Sequence, residues 1–234
     1  MHIAMTNPKK ALILIGSPKR ALSTSDFIAN YFVEALKKNG VISHKQNIST
    51  LFLDESTKNR FFTQIDTYDL IFFSCPLYLD GPPYPVIKAM ELIKKHRNDF
   101  GKQNKQKFYV ISNGGYPEAS HNDTAMLIYR QFAEESGFEW MGGLEVGMGA
   151  FANVRFFKNI NFFFKRIQKQ ALDIVYRIVN SRRNYDEKTT EKADPFIPIW
   201  LYFLGTRIAA RVMAAQNFVW RIYKDPYRYK IFIF

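Results

Sequence analysis

Three short, uninterrupted apolar runs, residues 11–15 (ALILI), 70–74 (LIFFS) and 107–112 (KFYVIS), constrain this chain more than any other feature. A strand wetted on one side alternates apolar and polar side chains, whereas a continuous run suits a strand covered on both faces. Longer stretches with helical spacing separate the runs. Residues 26–38 place Phe27, Tyr31 or Phe32, Ala35 and Leu36 together before Gly40 supplies a stop. Residues 85–95 align Val86, Met90 and Ile93, and residues 124–136 form the next helix, ended by Gly137. Residues 43–53 are a weaker strand candidate, and residues 139–146 a final strand interrupted by Gly142 and Gly143. Strand–helix alternation at this pitch predicts a parallel sheet with right-handed crossovers.

Composition narrows the class. At 234 residues the chain has room for one domain plus an extension, and two full domains would be cramped. Its 22 Phe, 13 Tyr and 3 Trp exclude disorder for the bulk of the chain, because that much aromatic surface must be buried or bound. The single cysteine, Cys75, excludes an internal disulfide, a cysteine-based zinc site and a cysteine-ligated iron–sulfur cluster. Ahead of Gly16 only five apolar residues follow Lys9 and Lys10, too few for a secretory core, so a cytoplasmic location is expected.

The loops after the strands carry the chemistry, since ligands of open α/β sheets bind beyond the carboxyl ends of the strands. The first, residues 16–25 (GSPKRALSTS), brings four hydroxyls and two cations to the start of a helix, where backbone amides and the helix dipole favour a phosphate. A plain Ser/Thr N-cap with solvated cations is the competing reading. The loop lacks GxGxxG and GxxxxGK[ST], which disfavours a dinucleotide fold or a P-loop. The second, residues 75–85 (CPLYLDGPPYP), is stiffened by four prolines and offers two tyrosines and two leucines to an aromatic ring; a rigid surface turn is its bland alternative. The third, residues 113–119 (NGGYPEA), has two glycines that let a ligand approach the backbone, although NGG is also an ordinary turn. A phosphate end and a planar-ring wall together read as a site for a mononucleotide with a large heterocycle.

The ordered set GSPKRALSTS, SCPLYLDGPPYPVIKAMELI and SNGGYPEA resembles the NAD(P)H-dependent FMN reductase and flavodoxin-like oxidoreductase family over about residues 10–150. Lys19-Arg20 stands where the family more often has arginine first, and the iron–sulfur subclass is excluded by the lone Cys75. The resemblance implies FMN, with NAD(P)H as electron donor. It places Ser17, Lys19, Ser23, Thr24 and Ser25 at the phosphate. Pro76, Leu77, Tyr78 and Leu79 would line the isoalloxazine on one side, and Asn113, Gly114, Gly115 and Tyr116 on the other. It further implies hydride transfer through the flavin to a small acceptor such as a quinone or free flavin, and a homodimer. No catalytic side chain and no metal ligand is assigned, because the cofactor carries the chemistry. His2, His44, His96 and His121 are scattered, and only His121 lies near a proposed loop.

The rest of the chain differs in charge. Residues 1–150 carry 17 basic and 15 acidic side chains, against 16 and 6 in residues 151–234. Phe156, Ile160, Phe163, Ile167, Ala171, Ile174 or Val175 and Ile178 repeat at helical spacing, as the last helix of the sheet domain would. Residues 181–194 (SRRNYDEKTTEKAD) read as a linker, and residues 195–206 form an uncharged run too short to span a membrane. Three readings fit the basic, aromatic extension beyond it. It packs as a helix on the body or across a dimer, it lies in the plane of an anionic membrane surface, or it meets nucleic acid, for which no motif is present.

The expectation is therefore a flavodoxin-like three-layer α/β/α sandwich with a five-stranded parallel sheet over residues 1–180. A linker and C-terminal helical extension follow over residues 181–234. The expected activity is that of an FMN-dependent NAD(P)H oxidoreductase in the cytoplasm, with a peripheral membrane position open through the extension. The alternative is a non-catalytic flavodoxin-like electron carrier docked to an anionic membrane or partner, and a third is a scaffold that has lost FMN.

Overall fold

The computed structural model describes residues 7–19, 23–99, 106–149, 161–180, 190–194 and 199–216. Strands β1 (Lys10–Ile15), β2 (Ile42–Asn47), β3 (Leu70–Pro76), β4 (Lys107–Asn113), β5 (Glu139–Val146) and β6 (Thr190–Ala193) form one parallel sheet in the order β2-β1-β3-β4-β5-β6. Helices α1 (Thr24–Lys38), α2 (Glu55–Ile65), α3 (Tyr84–Asp99), α4 (Asp123–Glu135) and α5 (Asn161–Asn180) flank it.

The alternating pleat explains both the runs and the layers. Ala11, Ile13, Ile15, Phe72, Tyr109 and Ile111 face α1 and α5, while Leu12, Leu14, Ile71, Phe73 and Val110 face α2, α3 and α4. Phe72 and Phe73 show the consequence at one step of the chain. Phe72 meets Phe32 of α1 with ring centroids 5.9 Å apart, and Phe73 meets Phe132 of α4 at 6.0 Å on the opposite face. Each such burial stabilises the fold by about 1.5–3 kcal/mol, so neither face tolerates polar substitution.

Local signals set the ends of α1 and the start of α2. Ser23 caps α1 by accepting the Asp26 amide at 3.1 Å, and Gly40 ends the turn after it at φ 73°. The weakly apolar α2, unanticipated by periodicity, starts at Asp54, which accepts the Thr57 amide at 2.7 Å; only Phe61 and Ile65 of this helix are buried. The strand candidate at 43–53 divides into β2 and a 3-10 turn, Ile48–Phe52. In α5, Ile167, Ala171, Ile174, Val175 and Ile178 are buried as the spacing requires; Phe156, Ile160 and the side chain of Phe163 lie outside the described residues.

One expectation is corrected. Among the described residues the sheet has six strands, not five, because Thr190–Ala193 pairs with β5 in the register Gly143↔Thr190 to Val146↔Ala193. This four-residue strand (TEKA) sits at an edge with only Ala193 buried, so no hydrophobic alternation marks it. The chain divides into two compact units, Met1–Pro195 and Phe196–Phe234. Within the second, α6 (Ile199–Gln216) is the described element. Among the described residues no helix is long and apolar enough to cross a membrane.

Candidate functional site

Register alone brings the loops together. Ile15 lies beside Asn47 and Ser74, Pro76 beside Asn113, Asn113 beside Val146, and Val146 beside Ala193, all at the carboxyl edge of the sheet. Strand order reverses between β1 and β3, which is where a crevice opens in a doubly wound sheet.

At that point Gly16 donates its amide to Ser74 O at 2.8 Å. A Cβ on Gly16 would stand 2.5 Å from both Cys75 Sγ and Val86 Cγ2, so the first loop passes the β3 edge too closely for any side chain. Ser17 is buried, with its hydroxyl accepting the Lys19 amide at 3.3 Å and its carbonyl held by Asn47 Nδ2 at 3.1 Å. Lys19 is exposed, and Arg20 lies outside the described residues.

The hydroxyls at the start of α1 divide by role. Ser23 caps the helix. Thr24 donates to Gly149 O at 2.7 Å, and Ser25 donates to Asn113 Oδ1 at 2.8 Å. Both bonds tie the start of α1 to the end of β4 and to the loop after β5. Ser74 Oγ completes the brace by donating to Ser25 O at 2.7 Å. The first-turn amides of α1 have no intrahelical carbonyl to accept them, and Ser23 Oγ takes that of Asp26.

The two loops expected to flank a ring are braced by backbone hydrogen bonds. Leu77 donates its amide to Asn113 O at 2.9 Å, and Gly114 donates to Val146 O at 2.9 Å. Tyr78 and Gly81 exchange backbone hydrogen bonds of 3.0 and 3.3 Å, closing a two-residue turn with Leu79 at its tip. Leu79 has φ 57° and is 92% exposed, an unusual conformation for a branched side chain without burial in return. Tyr78 and Tyr116 are also exposed, and Tyr116 lies against His121 with centroids 4.7 Å apart. Among the described residues, Gly115 has nothing within 4 Å of the place a Cβ would take.

A fourth loop, residues 147–149, was not among the expected site residues. Its glycines are forced by contact: a Cβ on Gly147 would lie 2.0 Å from Pro117 O, and one on Gly149 would lie 2.9 Å from Gly114 O. Met148 between them donates to Tyr116 O and has φ 57°. The alternation Gly-Met-Gly directly after a strand was the available signal.

Behind this edge lies a charged cluster. Glu145 is buried on β5, its Oε2 has no hydrogen-bond partner among the described residues, and Lys192 Nζ of β6 is 3.5 Å away. Burial, then the hydrogen-bonded Asp123 carboxylate, hold Glu145 up to about 7 against the pull of Lys192. Lys192 also pairs with Asp123 at 2.6 Å, and Asp194 accepts the Ala119 amide at 2.7 Å. The unexpected sixth strand thus anchors the segment that follows the NGG loop. Cys75, pushed up to about 12 by burial, is an inert thiol at this edge.

No family model matches the sequence, and no curated protein matches it. Solved structures do match. The Trp repressor binding protein from Bacillus subtilis is 14% identical with a TM-score of 0.53, covering 74% of this chain and 99% of its own. The NAD(P)H:quinone oxidoreductase from Methanothermobacter marburgensis is 14% identical with a TM-score of 0.52, covering 76% and 100%. An FMN-dependent NADH-azoreductase from Bacillus anthracis str. Ames Ancestor, in complex with FMN, is 13% identical with a TM-score of 0.50, covering 74% and 100%. The described residues of the unit Met1–Pro195 have the flavodoxin-like α/β/α fold, with its characteristic strand order extended by one strand.

Proposed function

We propose that the chain is an FMN-dependent NAD(P)H oxidoreductase that passes hydride from a nicotinamide to a small acceptor such as a quinone or free flavin, acting as a homodimer. The observation that carries this reading is the Ser25–Asn113 hydrogen bond. It fixes the phosphate-type helix start and the ring-facing NGG loop to one another at the sheet's switch point. Two of the neighbours in fold are a quinone oxidoreductase and an azoreductase with FMN, which supports the same class.

The residues present fit a flavin mononucleotide. The first-turn amides of α1, the buried hydroxyls of Ser17 and Ser23 and the exposed Lys19 would hold the phosphate. Pro76, Leu77, Tyr78 and Leu79 would bound one side of the ring, and Asn113, Gly114, Gly115 and Tyr116 the other. The amides of Leu77, Tyr78 and Gly114 are already donated to neighbouring carbonyls, so they hold the walls rigid. When bound, FMN supplies hydride acceptance and delivery. The chain's part is to orient the ring, keep water off one face and leave an apolar, tyrosine-flanked face where a nicotinamide can stack.

The test is spectroscopic first and kinetic second. Purified protein titrated with FMN is expected to acquire flavin absorption that survives desalting, and then to oxidise NADH or NADPH with a quinone. A preparation that stays colourless at saturating FMN refutes the cofactor. One that binds FMN without nicotinamide turnover refutes the enzyme and leaves an electron carrier.

A further inference from the structure

The second compact unit carries a surface that the flavin reading does not use. Trp200, Leu201, Phe203, Leu204, Ile208 and Val212 of α6 are all exposed, Trp200 to 66%. At 3.6 residues per turn they share one side of the helix. Arg207 and Arg211, also exposed and one turn apart, lie on that same side. The usual amphipathic arrangement hides its apolar stripe, and soluble surfaces rarely gather this much apolar area on one element.

Charge decides what would cover it. The 18 residues of α6 include no Asp or Glu, and residues 196–234 hold six basic side chains against the single Asp225. Pairing α6 with its own copy would press four guanidiniums together with no carboxylate on either helix to neutralise them. A nucleic acid would neutralise the arginines and leave the tryptophan, leucines and isoleucine facing phosphate and water. An anionic bilayer satisfies both halves: acyl chains take the apolar side chains, and lipid phosphates take the arginines, whose long stems reach back to headgroup level.

We propose that α6 is an in-plane anchor for an anionic lipid surface, with Trp200, Leu204 and Ile208 inserted below the headgroups and Arg207 and Arg211 bound to lipid phosphates. The helix is about 27 Å long at 1.5 Å per residue, enough to lie along the interface. The proposal stands independently of the flavin assignment, because it uses no residue of the sheet unit.

Vesicle sedimentation of the full-length protein tests it. The protein is expected to pellet with phosphatidylcholine vesicles containing about one-third phosphatidylglycerol at low salt. Partitioning should be at least about tenfold weaker on pure phosphatidylcholine or in ~0.5 M salt. The variant R207E/R211E should lose about tenfold in partitioning while its thermal unfolding is unchanged. Brominated acyl chains should quench tryptophan emission in the native chain and less so in W200F. Failure to pellet with anionic vesicles overturns the proposal. So does equal binding to neutral vesicles, or undiminished binding by R207E/R211E. A concentration-dependent dimer, or a DNA complex, that excludes vesicles assigns the face to that partner instead.

Discussion

Ser25 Oγ donates to Asn113 Oδ1 across 88 residues of sequence, with both groups buried. One hydrogen bond thereby joins the first turn of α1 to the last residue of β4. Removing either partner leaves the other buried without its mate, costing about 1–2 kcal/mol. S25A and N113A are each expected to lower the urea midpoint and weaken FMN binding. The double variant should cost clearly less than the sum, as a shared bond requires. Strict additivity in a double-mutant cycle would show that the two loops are held independently.

Gly16 has a packing reason as well as a loop position. The Cβ of G16A would collide with Cys75 Sγ and Val86 Cγ2, each at 2.5 Å. The loop must then lift from the β3 edge, for about 1–3 kcal/mol of stability. Isothermal titration is expected to show FMN affinity falling by at least about tenfold, since the loop proposed to hold the phosphate moves with it. Unchanged affinity would place the phosphate elsewhere.

Leu79 separates stability from binding. Its φ of 57° costs about 1 kcal/mol in a non-glycine residue, and its exposure gives little back. L79G should therefore raise the melting temperature slightly while weakening flavin retention on desalting. If the variant is less stable, the side chain is packed against something other than a ligand.

Glu145 gives the stability a pH dependence of definite sign. Its carboxyl titrates near 7 in the fold against an ordinary value of 4.5, so the folded chain keeps a proton that the unfolded chain releases in that window. This contribution is full below about 4.5 and is lost as pH rises toward 7. At about 1.4 kcal/mol per unit, the loss is on the order of 3 kcal/mol. Melting temperature should fall across that range in the native protein, and E145Q should flatten the slope. A native profile that rises through the same range would contradict the burial of a neutral carboxyl beside Asp123 and Lys192.

Much of this was readable from the chain itself. Runs such as ALILI and LIFFS suit strands covered on both sides, and the amphipathic stretches between them suit the covers. Parallel order followed, and with it the collection of GSPKRALSTS, CPLYLDGPPYP and NGGYPEA at one edge. What periodicity could not reveal was structure held by few apolar contacts. The short strand at Thr190–Ala193 is fixed by pairing with β5, and α2 by a cap and two buried side chains. The site divided in the same way. Residue types and spacing singled out the candidate loops. Only the packed structure tied the Thr24 and Ser25 hydroxyls to Gly149 and Asn113, and brought Gly147–Gly149 and Asp194 beside the NGG loop. The reason is physical: burial pattern is local and written in sequence, whereas hydrogen bonds and charge pairs between distant loops exist only once the sheet has aligned its strand ends.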